Sequence, residues 1–347
     1  MTVSEFAIKH DKRWNELEKA EKLTEKNIQT IANTLMPLKL ASTDVDIVVF
    51  GSIARNECTV KSDVDWTILV DGQVDSDHRI VAQAVEKGLD DANLAKPGIS
   101  GLFGQITFSH DLVHYIGGED DTNHNLSRRL LLLLESKKIE IKNGKTNAIT
   151  AYNRVMRGII SEYITHDSGF SASSGKENVP RFLLNDIIRF WRTMCVDFAF
   201  KQRTQGGKKW ALRNIKLRMS RRLIFIKGLL LCYQSYLKES DTVSIIEELD
   251  QSVRLTPLDL LITILVKESI DPKIIFEILD SYNEFLAILN DEETRQYLTD
   301  LKMEEAYGDG IFETARENSH RFQKALNKIF IFDENKIQEF TLKYGIF

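Results

Sequence analysis

The sequence is poor in the residues that hold small extracellular folds together. It contains 3 cysteines among 347 residues, and Cys58, Cys195 and Cys232 are far apart with no C-x-x-C spacing. An odd number of widely spaced cysteines gives neither a disulfide framework nor a zinc site. A reducing compartment fits this composition, and we expect a cytoplasmic protein.

Long apolar runs are also missing. No stretch approaches the run of about 18 apolar residues that marks a membrane-spanning helix. The first residues, MTVSEFAIKHDKRW, contain no apolar segment of the kind found in signal peptides. We therefore expect no membrane partner. Basic residues are in deficit too, with 46 Lys and Arg against 51 Asp and Glu, which argues against a protein coated for nucleic-acid binding.

What is present is an ordinary globular composition, 43% hydrophobic and 28% charged, and the length suggests two domains or three small ones. The β-branched and apolar runs at 45–50, 64–70 and 106–108 predict strands. Helical spacing predicts helices at 4–36, 76–93 and 125–135. Nearly everything after residue 146 has the spacing of amphipathic helices. We therefore predict a small mixed α/β domain over residues 1–143 and a helical domain over residues 144–347.

The segment from Phe50 to Trp66 carries the chemistry. Gly51 allows a backbone to approach a phosphate closely, and Ser52 is expected to open a helix whose free N–H groups and dipole favour an anion. These residues, with Ser62 just ahead of an acidic pair, predict a nucleotide-binding cradle.

The acidic pair is Asp63 and Asp65. Two residues apart on a strand, their carboxylates project from the same face. Hard oxygen ligands of this kind suit Mg²⁺ or Mn²⁺, with substrate phosphates and water completing the coordination. We predict that both carboxylates bind a catalytic metal ion.

Together, an apolar residue, Gly-Ser, about ten further residues and Asp-apolar-Asp resemble the signature of the DNA polymerase β-like nucleotidyltransferase superfamily. The likeness is in particular to bacterial domains related to the signal-protein uridylyltransferases. It implies a small mixed sheet with helices on one side, two divalent ions, and transfer of a nucleoside monophosphate from a nucleoside triphosphate such as ATP. The fold class expected is α+β, a small mixed-sheet nucleotidyltransferase domain followed by an all-helical domain.

Members of that superfamily usually add a third carboxylate from a later strand, which corresponds to the predicted strand 105–112. Asp111 at its end is one candidate for a catalytic role. The uridylyltransferase strand opens with Asp-Ile-Thr, which would instead put Gln105 in the acidic position, and a second metal would then be held weakly. Both alternatives stay open. His110 and His114 flank Asp111, and we expect them to pack or hydrogen-bond and not to bind metal.

A basic segment, Lys201 to Arg222, holds nine Lys or Arg residues and no acid. It is expected to be a helix that packs by an apolar stripe of five residues, Leu212, Ile215, Met219, Leu223 and Ile226. In one interpretation Lys209, Arg213 and Lys216 reach the β and γ phosphates of the nucleotide. The segment could otherwise bind a nucleic-acid acceptor, or be a solvated face paired with acidic helices.

The sequence thus predicts a metal-dependent nucleotidyltransferase. Its acceptor is a protein, an RNA or a small molecule, and the acidic balance slightly favours a protein or small molecule over RNA. One alternative is a degenerate nucleotide-binding sensor or scaffold without turnover, which Gln105 favours. Another is a helical nucleic-acid-binding protein that uses the basic segment.

Overall fold

The computed structural model describes residues 1–38, 43–95, 97, 101–141, 149–167, 178–204, 206–236 and 241–345. The chain divides into two compact units. The sheet unit consists of Ala20–Phe182 and Glu239–Thr256, and the helical unit of Met1–Lys19, Leu183–Lys238 and Pro257–Phe347. The predicted domain boundary between 143 and 144 lies outside the described residues, so those domain bounds stay a prediction.

The first elements in chain order are α1 (Val3–Lys9), α2 (Asn15–Leu35), β1 (Val45–Phe50), β2 (Asp65–Val70), α3 (Asp77–Asp91), β3 (Gln105–Phe108), α4 (Ser109–Val113), α5 (Asn123–Leu134), β4 (Ser136–Lys138) and α6 (Ala151–Thr165). They are followed by α7 (Arg181–Thr204), α8 (Trp210–Lys216), α9 (Arg222–Tyr236), α10 (Thr242–Ser252), α11 (Pro257–Lys267), α12 (Pro272–Asn290), α13 (Glu292–Asp300), α14 (Met303–Ala306), α15 (Gly310–Asn327) and α16 (Lys336–Phe340). A 3₁₀ turn, Met36–Leu38, ends α2, and π-helical segments at Leu217–Arg221, Lys328–Phe332 and Thr341–Gly345 follow α8, α15 and α16.

The strands form one mixed sheet in the order β3-β2-β1-β4. β1 is antiparallel to β2 and to β4, and β2 is parallel to β3. With the helices that follow, this confirms the predicted α+β class.

Both faces of the sheet are covered. On one face Ile47, Trp66 and Ile68 pack with Ile31 of α2 and Val85 of α3. On the other, Thr67 and Leu69 line a cleft with residues of α4 and α5. The expectation of helices on one side is therefore wrong. The physical reason is visible in β1, whose apolar run is continuous except for Asp46, as in strands that are buried on both faces.

Two predicted elements have different bounds. The opening helix is broken between α1 and α2, where Asp11 has a φ of 49°. The strand predicted to continue to Leu112 ends at Phe108, and α4 begins at Ser109. The segment after β3 is therefore helical.

A late segment of the chain completes the sheet unit. α10 packs on α6, where Arg157 Nη2 lies 3.8 Å from Glu247 Oε1. Arg254 Nη1 donates to Asn153 Oδ1 at 2.9 Å, and its guanidinium lies over the Tyr152 ring. Residues 239–256 thus belong structurally with the N-terminal elements.

In the helical unit, α12 packs on α15 and α9 on α11. The N-terminus joins this unit, since Trp14 Nε1 donates to Asp280 Oδ1 at 2.7 Å and the Glu16 N–H to Asn283 Oδ1 at 2.9 Å. Within the described ranges no helix is both long and apolar enough to cross a bilayer. All three cysteines are free thiols, and the cytoplasmic location stays a prediction.

The basic segment is not the single helix that its spacing predicted. α7 ends at Thr204, Gly206 and Gly207 adopt φ values of 58° and 77°, and α8 begins only at Trp210. Glycine readily takes this left-handed conformation, which ends a helix. The apolar stripe is confirmed, since its five residues from Leu212 to Ile226 are buried.

Candidate active site

The predicted cradle and the acidic pair meet at one edge of the sheet. Phe50, the last residue of β1, pairs with Asp65, the first residue of β2. Gly51 therefore leaves the sheet beside Asp65. Its φ is +73°, and a Cβ built on it would lie 3.5 Å from Asp65 Oδ2. A glycine is favoured here by the backbone conformation.

The turn after Gly51 is shorter than predicted. The N–H groups of Ala54 and Arg55 donate to the Gly51 carbonyl at 3.1 and 3.0 Å, but Asn56 has a φ of 60° and no longer helix forms. The expectation that Ser52 caps a helix is wrong, and a single turn carries little of the dipole that a helix would supply. In the described residues the N–H groups of Ser52 and Ile53 donate to no backbone carbonyl. These two groups are what the turn offers an anion.

Asp63 and Asp65 project from one face. Val64 between them is buried in the core on the opposite face, together with Trp66. Asp63 is exposed and forms an isolated parallel bridge with Ala95, whose carbonyl accepts from the Val64 N–H at 2.9 Å. Asp65 is half-buried. The alternation that was predicted for a strand thus places both carboxylates at the same edge.

Ser62 is already engaged within its own loop. Its Oγ accepts from the Thr59 N–H at 2.9 Å and lies 3.1 Å from Thr59 Oγ1, while its N–H donates to the Thr59 carbonyl. These bonds shape the loop that leads to Asp63. A direct bond from Ser62 to a nucleotide stays a prediction.

The register of β3 places Gln105 next to the acidic pair. Gln105 pairs with Thr67, and Thr67 Oγ1 lies 2.9 Å from Thr107 Oγ1, so residues 65, 67, 105 and 107 share one face. The Gln105 side chain donates to the Gly101 carbonyl. A neutral amide therefore stands on the strand next to the two carboxylates, on their side of the sheet.

Asp111 lies beyond the other end of β3. That end pairs with Val70, whose Cα is about 17 Å along β2 from that of Asp65 at 3.3 Å per residue. Arg128 of α5 is a charged neighbour of Asp111. The register brings Gln105 alongside the pair and does not bring Asp111 there. A catalytic role for Asp111 stays a prediction.

The two histidines beside Asp111 are closer than a strand would place them. His110 lies in α4 and His114 follows it, with ring centroids 5.1 Å apart. Across the described parts of the chain, no group of three or more His, Cys, Asp or Glu residues could hold a metal ion.

Buried ion pairs connect the turn after Gly51 to the end of α5. Arg55 Nε lies 2.9 Å from Glu57 Oε2, and Arg55 Nη1 also pairs with Glu135 at the end of α5. All three side chains are at most 7% exposed. Sequence reasoning missed this network, because Glu135 is 80 residues away and nothing local signals the contact.

A narrow cleft lies on the same face as Asp65. Thr67, Phe50 and Phe103 line it, together with Arg128 and Leu132 of α5. Arg128 Nε is buried and has no hydrogen-bond partner in the described residues. Burial lowers the pKa of Arg128, and Asp111 opposes that shift. The cleft is therefore lined by a guanidinium that has one buried donor, Nε, without a hydrogen-bond partner in the described residues.

The predicted phosphate-binding cations lie in the helical unit. Lys209, exposed with a φ of 60°, precedes α8, and Arg213 Nη1 donates to the Lys208 carbonyl at 3.2 Å. Lys216 is the last residue of α8 and is half-buried. Contact between these three side chains and a nucleotide stays a prediction.

Comparison with known families agrees with the geometry of the sheet edge. A family model described as a nucleotidyltransferase domain matches residues 30–104, from within α2 to the residue before β3. No curated protein matches the chain. The chain therefore contains a nucleotidyltransferase domain of the DNA polymerase β-like superfamily, which confirms the predicted superfamily. The bacterial subtype stays a prediction.

Proposed function

We propose that the protein is a metal-dependent nucleotidyltransferase. It transfers a nucleoside monophosphate from a nucleoside triphosphate such as ATP to an acceptor, with release of pyrophosphate. The observation that carries this proposal is the meeting of Gly51 and Asp65 at one sheet edge, with Asp63 on the same face, inside the segment that the family model matches.

Asp63 and Asp65 are the residues that would hold Mg²⁺ or Mn²⁺. Both offer hard oxygen ligands, and Mg²⁺ prefers phosphates and waters as further ligands. Asp63 is exposed and Asp65 is half-buried. Bound there, the metal would neutralise charge on the triphosphate and favour attack by the acceptor hydroxyl. The N–H groups of Ser52 and Ile53 are suited to contact a phosphate oxygen.

For the acceptor we propose only a chemical class. The net charge of −5 disfavours a broadly basic surface for RNA. A protein or a small molecule with a free hydroxyl is therefore the acceptor class that we favour.

A second candidate function rests on Gln105. With an amide where a third carboxylate would be expected, a second metal loses a ligand, and turnover would be slow or absent. The domain would then bind a nucleotide as a sensor or scaffold. Asp63 and Asp65 oppose this alternative, because binding alone has less need of both carboxylates.

The decisive experiment measures label transfer from each of four α-labelled nucleoside triphosphates, with Mg²⁺ or Mn²⁺ and a host lysate as acceptor. The double variant Asp63→Asn/Asp65→Asn should lose transfer by at least about a hundredfold. Asp91→Asn, at the exposed end of α3, is the matched control and should keep wild-type transfer. Transfer that persists in the double variant would contradict the proposal.

A companion variant separates the two candidates. Gln105→Asp supplies the missing carboxylate on the same face as Asp65. An increase in transfer or a lower Mn²⁺ requirement would show that the neutral side chain limits the enzyme. Metal-dependent nucleotide binding by the wild type without transfer, rescued by Gln105→Asp, would identify a sensor derived from a transferase. Absence of both binding and transfer would contradict both functions.

A further inference from the structure

A group of basic side chains converges in the helical unit, and it shares no residue with the site of the proposed function. We call Arg218, Arg222, Arg316 and His320 the cationic cluster. Arg218 Nη1 lies 3.2 Å from His320 Nε2, although the two residues are 102 positions apart. Arg218 and Arg222 are four residues apart on the continuous π and α helix, and Arg316 and His320 are four apart on α15. Each pair therefore presents its side chains on one helix face.

Few acidic groups balance this cluster. Arg316 pairs with Glu313 at 2.9 Å. In the part of the chain that the structure describes, no carboxylate pairs with Arg218 or Arg222. Arg218 instead donates to Asn214 Oδ1 at 2.7 Å, and Arg222 Nη1 is buried with no hydrogen-bond partner. Unsatisfied buried donors of this kind carry a desolvation cost.

The electrostatic neighbours of the cluster are mostly cations. Burial lowers the pKa of Arg222, and Arg218 lowers it further, while Cys195 opposes the shift. Burial also lowers the pKa of His320, with additional lowering from Arg218, Arg316 and Arg222, and Glu313 opposes it. For Arg218, burial and Arg316 lower the pKa and Tyr307 opposes. Like charges held together in this way would be stabilised by an anion.

We propose that the cationic cluster is a binding site for the phosphate groups of a small ligand, such as pyrophosphate or a nucleotide polyphosphate. Guanidinium groups match phosphate geometry with paired donors, and two of them offer donors that carboxylates do not occupy. His320 is exposed, so the site is accessible from solvent. This inference goes beyond the proposed function and does not depend on Asp63 or Asp65.

Titration calorimetry with pyrophosphate, inorganic phosphate and ATP tests the proposal. The measurements are made on the full chain with a metal chelator present, so that binding through the carboxylate pair does not contribute. Arg218→Gln and Arg222→Gln should each weaken pyrophosphate binding by about tenfold or more, because each removes a charge-assisted hydrogen bond. Asp63→Asn/Asp65→Asn should bind like the wild type, which separates this site from the proposed active site.

The matched control is Arg321→Gln. Arg321 follows His320 on α15, but it is exposed and already paired with Glu284. Arg321→Gln removes one positive charge, as Arg218→Gln does, from the helix that carries Arg316 and His320, and it changes no residue of the cationic cluster. Equal weakening by Arg321→Gln and Arg218→Gln would mean general electrostatic attraction and would overturn the proposal.

Histidine NMR keeps the test valid if an arginine variant unfolds. In the wild type, pyrophosphate should raise the pKa of His320, because the anion offsets the cations that hold it down. An unchanged His320 titration under saturating pyrophosphate would overturn the proposal.

Failure of all three calorimetry probes to bind would also overturn the proposal, as would binding of RNA by this surface without binding of any small phosphate. Tighter binding of ATP than of pyrophosphate would support a nucleotide as the ligand, and equal binding would support the polyphosphate alone.

Discussion

Two arginines with buried guanidinium nitrogens, Arg129 in the sheet unit and Arg222 in the helical unit, differ in their hydrogen-bond partners. In the sheet unit Arg129 is fully buried, with Nη1 and Nη2 donating to Asp121 at 3.0 and 2.7 Å and Nε donating to the Tyr163 hydroxyl at 2.7 Å. In the helical unit Arg222 buries Nη1 without a partner. The buried guanidinium of Arg129 is thus paired with a carboxylate and a hydroxyl of the chain, whereas a buried guanidinium without such partners is a candidate for binding an external anion.

The direction of the pKa shift records the same difference. Burial would lower the pKa of Arg129, but Asp121 and Tyr163 more than offset it, so the pKa lies above the ordinary value. For Arg222 burial lowers the pKa and Arg218 adds to the lowering. Burial alone therefore does not distinguish the two roles, and the identity of the neighbouring charges does.

The largest expected effect is the loss of stability when the buried ion pair between Arg129 and Asp121 is broken. Arg129→Met leaves the Asp121 carboxylate buried without its partner, and we expect the free energy of unfolding to fall by about 3–5 kcal/mol. Urea denaturation measures it. The adjacent Arg128→Met is the control, because the Nε of Arg128 has no partner to lose, and it should change stability by much less. Similar losses for both variants would refute the assignment of Arg129 as the paired residue.

The second effect concerns the packing of α9, the helix that begins at Arg222. Gly228 of α9 approaches α7 so closely that an added Cβ would lie 2.7 Å from Ile187 Cγ2. Gly228→Ala should therefore destabilise the protein by about 1–3 kcal/mol through overpacking. Thermal unfolding measures the change. Gly310→Ala, where a Cβ would meet nothing within 4 Å, should not destabilise, and a neutral Gly228→Ala would contradict the close approach.

A smaller effect, a gain in stability, is expected when Arg222 is replaced. Arg222→Met removes the unsatisfied Nη1 and keeps an apolar chain of similar reach. We expect the free energy of unfolding to rise by about 1 kcal/mol in phosphate-free buffer. The substitution removes a buried donor that has no hydrogen-bond partner, so no other group loses a hydrogen bond to that donor. Chemical denaturation checks the sign. A clear loss of stability would show that Arg222 stabilises the fold, as Arg129 does.

The smallest effect is the pH dependence that the cluster imposes. Because the pKa of His320 is lowered on folding, the unfolded state binds more protons below the usual value of about 6.5, and stability should fall as the pH drops through that value. His124, whose pKa burial also lowers, acts in the same direction. His320→Gln should reduce the slope of the melting temperature between about pH 7 and pH 5. An unchanged slope would contradict the shift.

Local patterns predicted the sheet edge well. β1 and β2 were found because Val, Ile and Phe form dense runs, and Gly51, Asp63 and Asp65 stand within one short segment whose order fixes their relation. The three-residue strand β4 was missed. It is short and polar, and its conformation comes from pairing with β1, where Ser136 lies opposite Phe50.

Contacts between distant positions could not be read in the same way. α4 was predicted to be part of the strand that begins at Gln105. Polar and apolar residues alternate from Gln105 to Phe108, but the sequence pattern does not show that the extended backbone ends there. The cationic cluster was missed as a unit, since it needs α15 to bring His320 to Arg218. The placement of Asp63 and Asp65 on one face needs only the alternation of one strand, and it could therefore be predicted from the sequence, whereas the approach of His320 to Arg218 could not.

The return of residues 239–256 to the sheet unit has a consequence for synthesis on the ribosome. The elements that carry Gly51 and Asp65 emerge early, but α10, which packs on α6, is made only after α7, α8 and α9. An N-terminal domain is ordinarily able to fold while the rest of the chain is still being made. Here the nascent sheet unit stays incomplete until Thr256 has left the exit tunnel, so its maturation is tied to production of much of the helical unit.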